Sequence, residues 1–338
     1  MPAASLRIGI MGTARIARSF AQGVAPSQQV KVAAVASRDP AKAQEFAGAL
    51  GIAKSFGSYE ALLADAGIDA IYNPLPNGLH APWSIRALEA GKHVLCEKPL
   101  SANAAEARAM FAAARDHGLH LVEGFPYLSQ PQTLRMRELL RTGVIGTLRL
   151  VQASFAFTLA DAGNARWDPA LAGGALMDVG VYPVSLIRII TGEMPVRVQA
   201  AARWHASGVD RALAATLEFE SGLLAQIACS FEGSLHRQAL IVGSEGIIET
   251  SFSNHTNAET PGDLYLREGS GTRGARRVIH TDAANGFRAE AEAFAALVRG
   301  EPNAWNGATE TESVDIMTIV DALLESARRG SAVDLARI

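Results

Sequence analysis

Over its first 124 residues the chain alternates short apolar runs with helix-patterned segments, and this alternation limits its fold more than any other feature. Leu6 to Met11 reads as a strand, a turn follows at Gly12, and Arg15 to Gln22 reads as helix. Val30 to Ser37 is the next strand. Asp39-Pro40 then supplies an N-cap and a first-turn proline for a helix stopped at Gly51. Ser58 caps another helix, "IDAIYN" is strand, "APWSIRALEAG" is helix ending at Gly91, and "KHVLC" is strand. The helix after Ser101 ends near Gly118, and "LHLVEG" is strand again. A strand that always gives way to a helix cannot close a hairpin with its successor. The expectation is an α/β fold opening with a parallel sheet of Rossmann type, helices on both faces.

After about residue 125 the pattern changes. "IGTLRLVQASFAF" and "VRVQAAARWH" are long strand candidates, "ALAATLEF-ESG-LLAQIACSF" reads as a hairpin with a short Gly-containing turn, and "LHRQALIVGSEGIIET" as a further strand pair. Strands joined by short turns imply a mostly antiparallel sheet. Helical segments are expected near "MDVGVYPVSLIRIITG", from Gly286 to Arg299 and from Glu310 to Arg328. The polar stretch "SNHTNAETPGD", residues 253–263, reads as a mobile surface loop. With 338 residues the chain divides into a dinucleotide-binding domain, 1–124, and a domain for substrate binding and oligomerisation, 125–338. An antiparallel sheet with too few helices to cover both faces predicts a homodimer or higher homo-oligomer.

The formal net charge of −3, without basic or acidic blocks, argues against nucleic acid or an anionic membrane surface as partner. No uninterrupted apolar run approaches the ~18 residues of a membrane helix, and "MPAASLRIGIMG" does not read as a signal peptide. Cys96 and Cys229 lie far apart, and His205, His236 and His255 are scattered, so neither set has metal-ligand spacing. The reading is a cytoplasmic protein with buried thiols and no metal.

The turn "GIMGTARIA" follows the first strand and opens the first helix, where a dinucleotide fold places its pyrophosphate against backbone N–H groups. The three customary glycines fall on Gly12, Ala14 and Ala17, and Gly12, Thr13, Ala14, Arg15 and Ile16 form the candidate phosphate turn. The second strand ends in Ser37-Arg38 where NAD-binding domains usually carry a carboxylate. A hydroxyl and a guanidinium suit a 2′-phosphate, so NADP is expected ahead of NAD; an ordinary exposed arginine is the other reading.

"GIMGTARIA", "YNPLPNGLH", "CEKPL" and "GGALMDVGVYP", in this order, resemble the glucose–fructose oxidoreductase / inositol dehydrogenase / rhizopine catabolism (Gfo/Idh/MocA) family across nearly the whole chain. The resemblance implies an N-terminal Rossmann domain and a C-terminal α/β domain whose open sheet often mediates dimerisation. It also implies that the lysine of Glu97-Lys98-Pro99 reaches the nicotinamide and the substrate hydroxyl. Tyr182, in Asp178-Val-Gly-Val-Tyr182, is similar to the subgroup of glucose–fructose oxidoreductase, dimeric dihydrodiol dehydrogenases and some xylose dehydrogenases. The segment "VEGFPYLSQPQ" departs from the aromatic-rich, basic segment common in that subgroup.

Ligands of open α/β sheets bind beyond the carboxyl ends of the strands, and "KHVLC" delivers Glu97 and Lys98 there. Asp178 and Tyr182, four apart on an expected helix, share one face, with Gly173-Gly174 just before them. Tyr182 would carry the proton: a free phenol titrates near ~10, and a neighbouring ammonium such as Lys98 would lower that value. Asp178 would hold a neighbouring substrate hydroxyl. Pro74, Leu75, Pro76 and Asn77 would line the cofactor path or form an ordinary loop. His80 reads as a helix-start histidine near the cofactor rather than a catalyst. Arg166-Trp167 would pack by nicotinamide and substrate or cap an exposed loop, and Tyr127 would line the substrate cleft. The expected activity is an NADP-dependent oxidoreductase for a secondary alcohol or hemiacetal of a sugar, polyol or cyclic diol. Two alternatives stay open: a redox-assisted NAD-dependent glycosidase and a non-catalytic ligand sensor.

Overall fold

The computed structural model describes residues 5–269 and 274–335. The chain forms two compact units: one runs to Ser129 and adds Asn285–Glu310, the other comprises Gln130–Ala284 and the residues from Thr311 onward.

In the first unit, strands β1 (Leu6–Met11), β2 (Val30–Ala36), β3 (Lys54–Phe56), β4 (Ala70–Asn73), β5 (His93–Glu97) and β6 (Leu121–Gly124) alternate with α1 (Arg15–Val24), α2 (Pro40–Leu50), α3 (Tyr59–Leu63), α4 (His80–Glu89) and α5 (Ala104–Asp116). All pairings are parallel, in the order β3-β2-β1-β4-β5-β6. This is the doubly wound order, whose direction reverses between β1 and β4, where such sheets bind ligands. Local chemistry sets the helix ends. Asp39 accepts from the N–H groups of Ala41 and Lys42 ahead of Pro40, and Gly51 closes α2 at φ 66°. Ser58 caps α3, and Asn103 caps α5 by accepting from Glu106 N–H.

The sequence reading assigned Gly286 to Arg299 to the second domain. In the structure α8 (Gly286–Val298) groups with the first unit. Its Phe287, Ala291, Phe294 and Ala295 enter the core formed by Ile8, Ile10, Phe20 and Tyr72. Phe20 stacks on Tyr72 at 3.7 Å and meets Phe287 edge-on at 5.8 Å.

In the second unit, α6 (Pro131–Arg141), which the sequence reading missed, precedes β7 (Leu148–Thr158). A helix α7 (Val181–Thr191) follows, then strands β8 (Arg197–Trp204), β9 (Asp210–Glu218), β10 (Leu224–Ser230), β11 (Glu232–Gly243), β12 (Gly246–Thr250), β13 (Leu264–Glu268) and β14 (Arg276–Ile279). The long α9 (Glu310–Arg329) and short β15 (Val333–Asp334) end the described chain. The sheet order is β14-β13-β12-β11-β7-β10-β9-β8-β15. It is antiparallel throughout except for the β7–β10 pair, as the short turns dictated. Arg188 of α7 pairs with Asp315 of α9 at 2.7 Å, and Ser326 of α9 accepts from Ala200 N–H of β8 at 2.9 Å, tying the helices to each other and to the sheet.

The opposite sheet face is lined by Gln152, Ser154, Gln199, Ala201, Ala214, Thr216, Gln226 and Ala228 around a concavity of about 690 Å³. Among the described residues one helical stretch, Pro169–Thr191, is long and apolar enough to cross a bilayer, but 78% of its apolar 18-residue window is buried inside the protein.

Candidate active site

The first unit presents the candidate phosphate turn. Gly12, at φ 89°, leaves β1 by donating its N–H to Ala36 O at 2.7 Å. That conformation favours glycine, and a Cβ here would press Leu75 Cδ2 at 3.3 Å. Ala14 is the N-cap of α1 and offers no side-chain acceptor, and the first turn holds no acid. The leading N–H groups of α1 thus have no side-chain cap from Ala14, an arrangement suited to an anion. Ala14, Arg15 and Ile16 are exposed, and Thr13 is half-buried.

The end of β2 carries cationic chemistry. Ser37 is buried, and its Oγ accepts from Asp39 N–H at 3.2 Å. Arg38 is exposed and its charge is felt by the phenol of Tyr59, which desolvation nevertheless holds above its ordinary value. The same phenol lies 3.8 Å from where a Gly12 Cβ would stand, so Arg38 and the turn share one neighbourhood. The nearby carboxylate of Asp39 is engaged in capping α2. These residues fit a 2′-phosphorylated dinucleotide: a cation and hydroxyls at the end of β2, where such folds meet the ribose, with Asp39 engaged in its cap.

Beyond β4 and β5 the chain forms two adjoining loops. Pro74 and Leu75 are buried, Asn77 is half-buried and Pro76 exposed. His80 is buried, with Nδ1 2.7 Å from Pro99 O and Nε2 2.6 Å from Leu75 O. Burial pushes its imidazole down to about 4 despite those carbonyls. A neutral ring donates from one nitrogen only, so in that form His80 hydrogen bonds to one of the two carbonyls while its ring packs between both loops. Glu97 is buried and accepts from Tyr72 Oη at 2.6 Å. Lys98 is half-buried at the strand exit, and its peptide bond to Pro99 is cis. Glu123 fixes the next residue by accepting from Leu100 N–H at 2.9 Å. Tyr127 is fully buried, edge-on to Phe125. Cys96 is buried, and burial raises its thiol well above the ordinary value, so it is chemically quiet.

The second unit assembles the other candidates. Gly174, at φ 115°, leaves no room for a Cβ against the carboxylate of Asp210, which accepts from Leu176 N–H at 2.7 Å. That contact starts the segment carrying Asp178 and Tyr182. The expected single helix is a π-turn over Leu176–Gly180 running into α7. Asp178 is buried and accepts from Arg166 Nε at 2.5 Å. Desolvation works to lower the guanidinium, but Asp178 and the nearby Tyr182 outweigh it, so Arg166 is held charged. Tyr182 is buried, with Phe155 edge-on at 5.4 Å.

Residues 6–125 match the description "Oxidoreductase family, NAD-binding Rossmann fold", and residues 133–249 match "GFO/IDH/MocA C-terminal domain". D-xylose 1-dehydrogenase (NADP(+)) 2 of Haloferax volcanii is 40% identical over 334 residues, 98% of this chain and all of the relative. Trans-1,2-dihydrobenzene-1,2-diol dehydrogenase of Mus musculus is 37% identical over 72% of this chain and 74% of its own. A crystal structure of a 3-ketoreductase from Actinomadura kijaniata, in complex with NADP and TDP-benzene, aligns with TM-score 0.86 at 32% identity, covering 95% of this chain and 98% of that one. The chain belongs to the Gfo/Idh/MocA oxidoreductase family. The resemblance carried by its four motifs is thereby met.

Within this Gfo/Idh/MocA oxidoreductase, Lys98 is set by the first unit, and Arg166, Asp178 and Tyr182 by the second. Trp167 is buried, donates from Nε1 to Asp161 O at 3.1 Å and stacks on His205 at 4.4 Å, so its indole is a packing element of its own loop. The sequence reading missed Asp210, Arg237 and Asn254. Asn254 lies in the stretch read as a mobile surface loop, yet its side chain meets Tyr182 Oη at 3.0 Å. The stretch is also pinned by Gln130 and Gln132, both fully buried.

Proposed function

We propose that this family member is an NADP-dependent dehydrogenase or reductase acting at a secondary alcohol or hemiacetal carbon of a sugar, polyol or cyclic diol. The observation that carries the reading is the pair Asp178 and Tyr182, both buried, with the charge of Arg166 bound to the first and felt by the second. An alcohol being oxidised must lose its hydroxyl proton, and a phenol held among cations is suited to take it. Tyr182 is the proton carrier, Lys98 assists it and binds the reacting hydroxyl, and Asp178 accepts from a neighbouring hydroxyl. Ser37 and Arg38 receive the 2′-phosphate, and Gly12 to Ile16 receive the pyrophosphate. Bound NADP supplies the two-electron step. The xylose dehydrogenase, the dihydrodiol dehydrogenase and the ketoreductase, named for such substrates, support the substrate class.

On this reading the first unit binds dinucleotide and the second binds substrate and self-associates through its uncovered sheet face. That face is built from small and amide side chains in rows, such as Gln238, Ser154, Ala228, Ala214 and Ala201 across five strands, and suits a copy of itself. Reduced, buried cysteines fit a cytoplasmic location.

The test is a panel of sugars, polyols and cyclic diols followed at the nicotinamide absorbance, with NADP and NAD in parallel. Turnover with at least one of them and preference for NADP is the expected result. Glycoside cleavage without net cofactor turnover, or ligand binding without any reaction, would replace the reading.

A further inference from the structure

Tyr182 accepts from a hydrogen-bond chain whose direction chemistry fixes. Nη1 of Arg237 lies 3.0 Å from Oδ1 of Asn254, and Nδ2 of Asn254 lies 3.0 Å from the phenolic oxygen of Tyr182. A guanidinium has donors and no acceptor, so it must meet the amide oxygen. The amide nitrogen then faces Tyr182, and because that nitrogen also only donates, the phenolic oxygen accepts. The proton of Tyr182 is not directed at Asn254. The guanidinium carbon of Arg237 also stands 4.1 Å from the centroid of the Tyr182 ring, flanked by Phe155 and Phe252 at 4.9 and 4.6 Å. Its positive charge therefore rests against the aromatic ring.

The surrounding chain is shaped to hold this chain of contacts. Phe252 adopts φ 36°, an uncommon conformation for a bulky residue, while fully buried. Its N–H donates to Thr250 Oγ1 at 3.0 Å, so the end of β12 bends at this point. Gln130 then donates to Asn254 O at 2.6 Å, and Gln132 accepts from Ser253 N–H at 3.2 Å. Both glutamines come from the segment around α6, remote in sequence, and they fix the backbone that presents Asn254.

We propose that Asn254 and Arg237 are positioning residues that set the acidity of Tyr182, Asn254 by donating to its oxygen and Arg237 by orienting that amide and placing a cation on the ring. Each contact favours phenolate over phenol. The relevance to catalysis rests on the proposed role of Tyr182; the effect on its acidity does not. Ionisable groups of the second unit facing this cluster include Arg166 with its partner Asp178, and His255, which desolvation and Arg237 keep below its ordinary value.

The experiment labels the ring carbons of tyrosine with carbon-13 and follows the phenol titration by NMR in the full-length protein. The resonance of Tyr182 is the one that disappears in Tyr182→Phe, tractable because the chain has five tyrosines. Asn254→Asp, nearly isosteric, replaces the donor by an acceptor and should raise the Tyr182 midpoint by about one pH unit or more, a tenfold change in the proton equilibrium. Arg237→Met should raise it likewise, and Arg237→Lys, which keeps the charge, should restore part of the difference. The pH dependence of turnover should move in parallel. Unmoved midpoints in both Asn254→Asp and Arg237→Met would overturn the inference, even with turnover reduced. Shifted midpoints would sustain it even if Tyr182→Phe left turnover intact, a result that would sink the proton-carrier role instead.

Discussion

Arg166 and Asp178 are twelve residues apart and meet through a single charge-assisted hydrogen bond, Nε to Oδ2 at 2.5 Å. The arginine side chain is 45% exposed and the carboxylate 11%, so solvent reaches the pair mainly at the arginine. Asp178 thus stands oriented by a cation, ahead of the substrate hydroxyl it is proposed to hold.

Arg166→Met should for that reason be felt mainly in substrate binding. Solvent screening limits the stability loss to about 1 kcal/mol. Loss of orientation at Asp178 should raise KM by about tenfold, equivalent to about 1.4 kcal/mol of binding, with a smaller change in kcat. Steady-state kinetics alongside thermal melts separate the two effects. A fall in kcat at constant KM would show that Arg166 serves the chemical step.

If Arg38 receives the 2′-phosphate as proposed, the cofactor preference depends on it, with the Tyr59 phenol beside it. Arg38→Ala should weaken NADP binding by tenfold or more, about 1.4 kcal/mol or above, while leaving NAD nearly unchanged. Calorimetric titration with both dinucleotides reads this directly. Equal affinities in the parent protein would refute the assignment of the 2′-phosphate to Ser37 and Arg38.

If Lys98 assists Tyr182, the two act as one unit and their losses do not multiply. Lys98→Met and Tyr182→Phe should each reduce turnover by ~10²-fold or more, the scale of general acid–base catalysis. The double variant should be little worse than either. In the oxidation direction the parent rate should rise with pH, and Tyr182→Phe should flatten the rise. A double-mutant cycle on chemistry-limited turnover, checked with deuterated substrate, decides it; fully multiplicative losses mean independent roles.

Much of this was legible in sequence because the signals were local. Asp39-Pro40, Ser58 and Gly51 punctuate helices wherever they occur, and the alternation they delimit admits a parallel sheet and little else. Helix α8 was read correctly as a helix but not as part of the first unit. Its apolar stripe says that a face is buried, and only the fold says that Phe287 meets Phe20. Asn254 was invisible for a different reason. A run of Ser, Asn, His and Thr looks solvated, and what orders it is Gln130 and Gln132, more than a hundred residues earlier. The π-turn at Leu176–Gly180 likewise begins where distant Asp210 captures the Leu176 N–H, a contact with no sequence signature.

Self-association should fail when the uncovered sheet face is charged. Ala228 and Ala214, paired across β10 and β9, are exposed near the centre of that face. Ala228→Arg adds bulk and charge where a symmetric partner would place its own copy, with little effect on the buried side. Light scattering should show a dimer or larger species for the parent and a monomer for the variant. A monomeric parent at micromolar concentration would remove the proposal.

Asp210 gives a pH prediction of defined sign. The residue is 1% exposed, and burial pushes its carboxyl up to about 6, against the downward pull of the Leu176 N–H. The folded value lies above the ordinary 3.8, so the folded chain holds this proton more tightly than the unfolded chain. The stabilisation is therefore fully present below about 4 and is lost as pH rises through about 6. The two values imply a loss of about 3 kcal/mol. Asp210→Asn carries no charge to desolvate and keeps an oxygen for Leu176 N–H. Its melting temperature relative to the parent should climb between about pH 4 and 7, and the comparison cancels other titrating groups such as the buried Glu290. Asp210→Ala should instead melt lower than Asp210→Asn at every pH, because Leu176 N–H is left without its acceptor, at a cost of about 1–3 kcal/mol. A parent-to-Asn difference that stays flat across this range would mean that Asp210 does not change its proton affinity on folding, and that its carboxylate is accommodated in the fold without penalty.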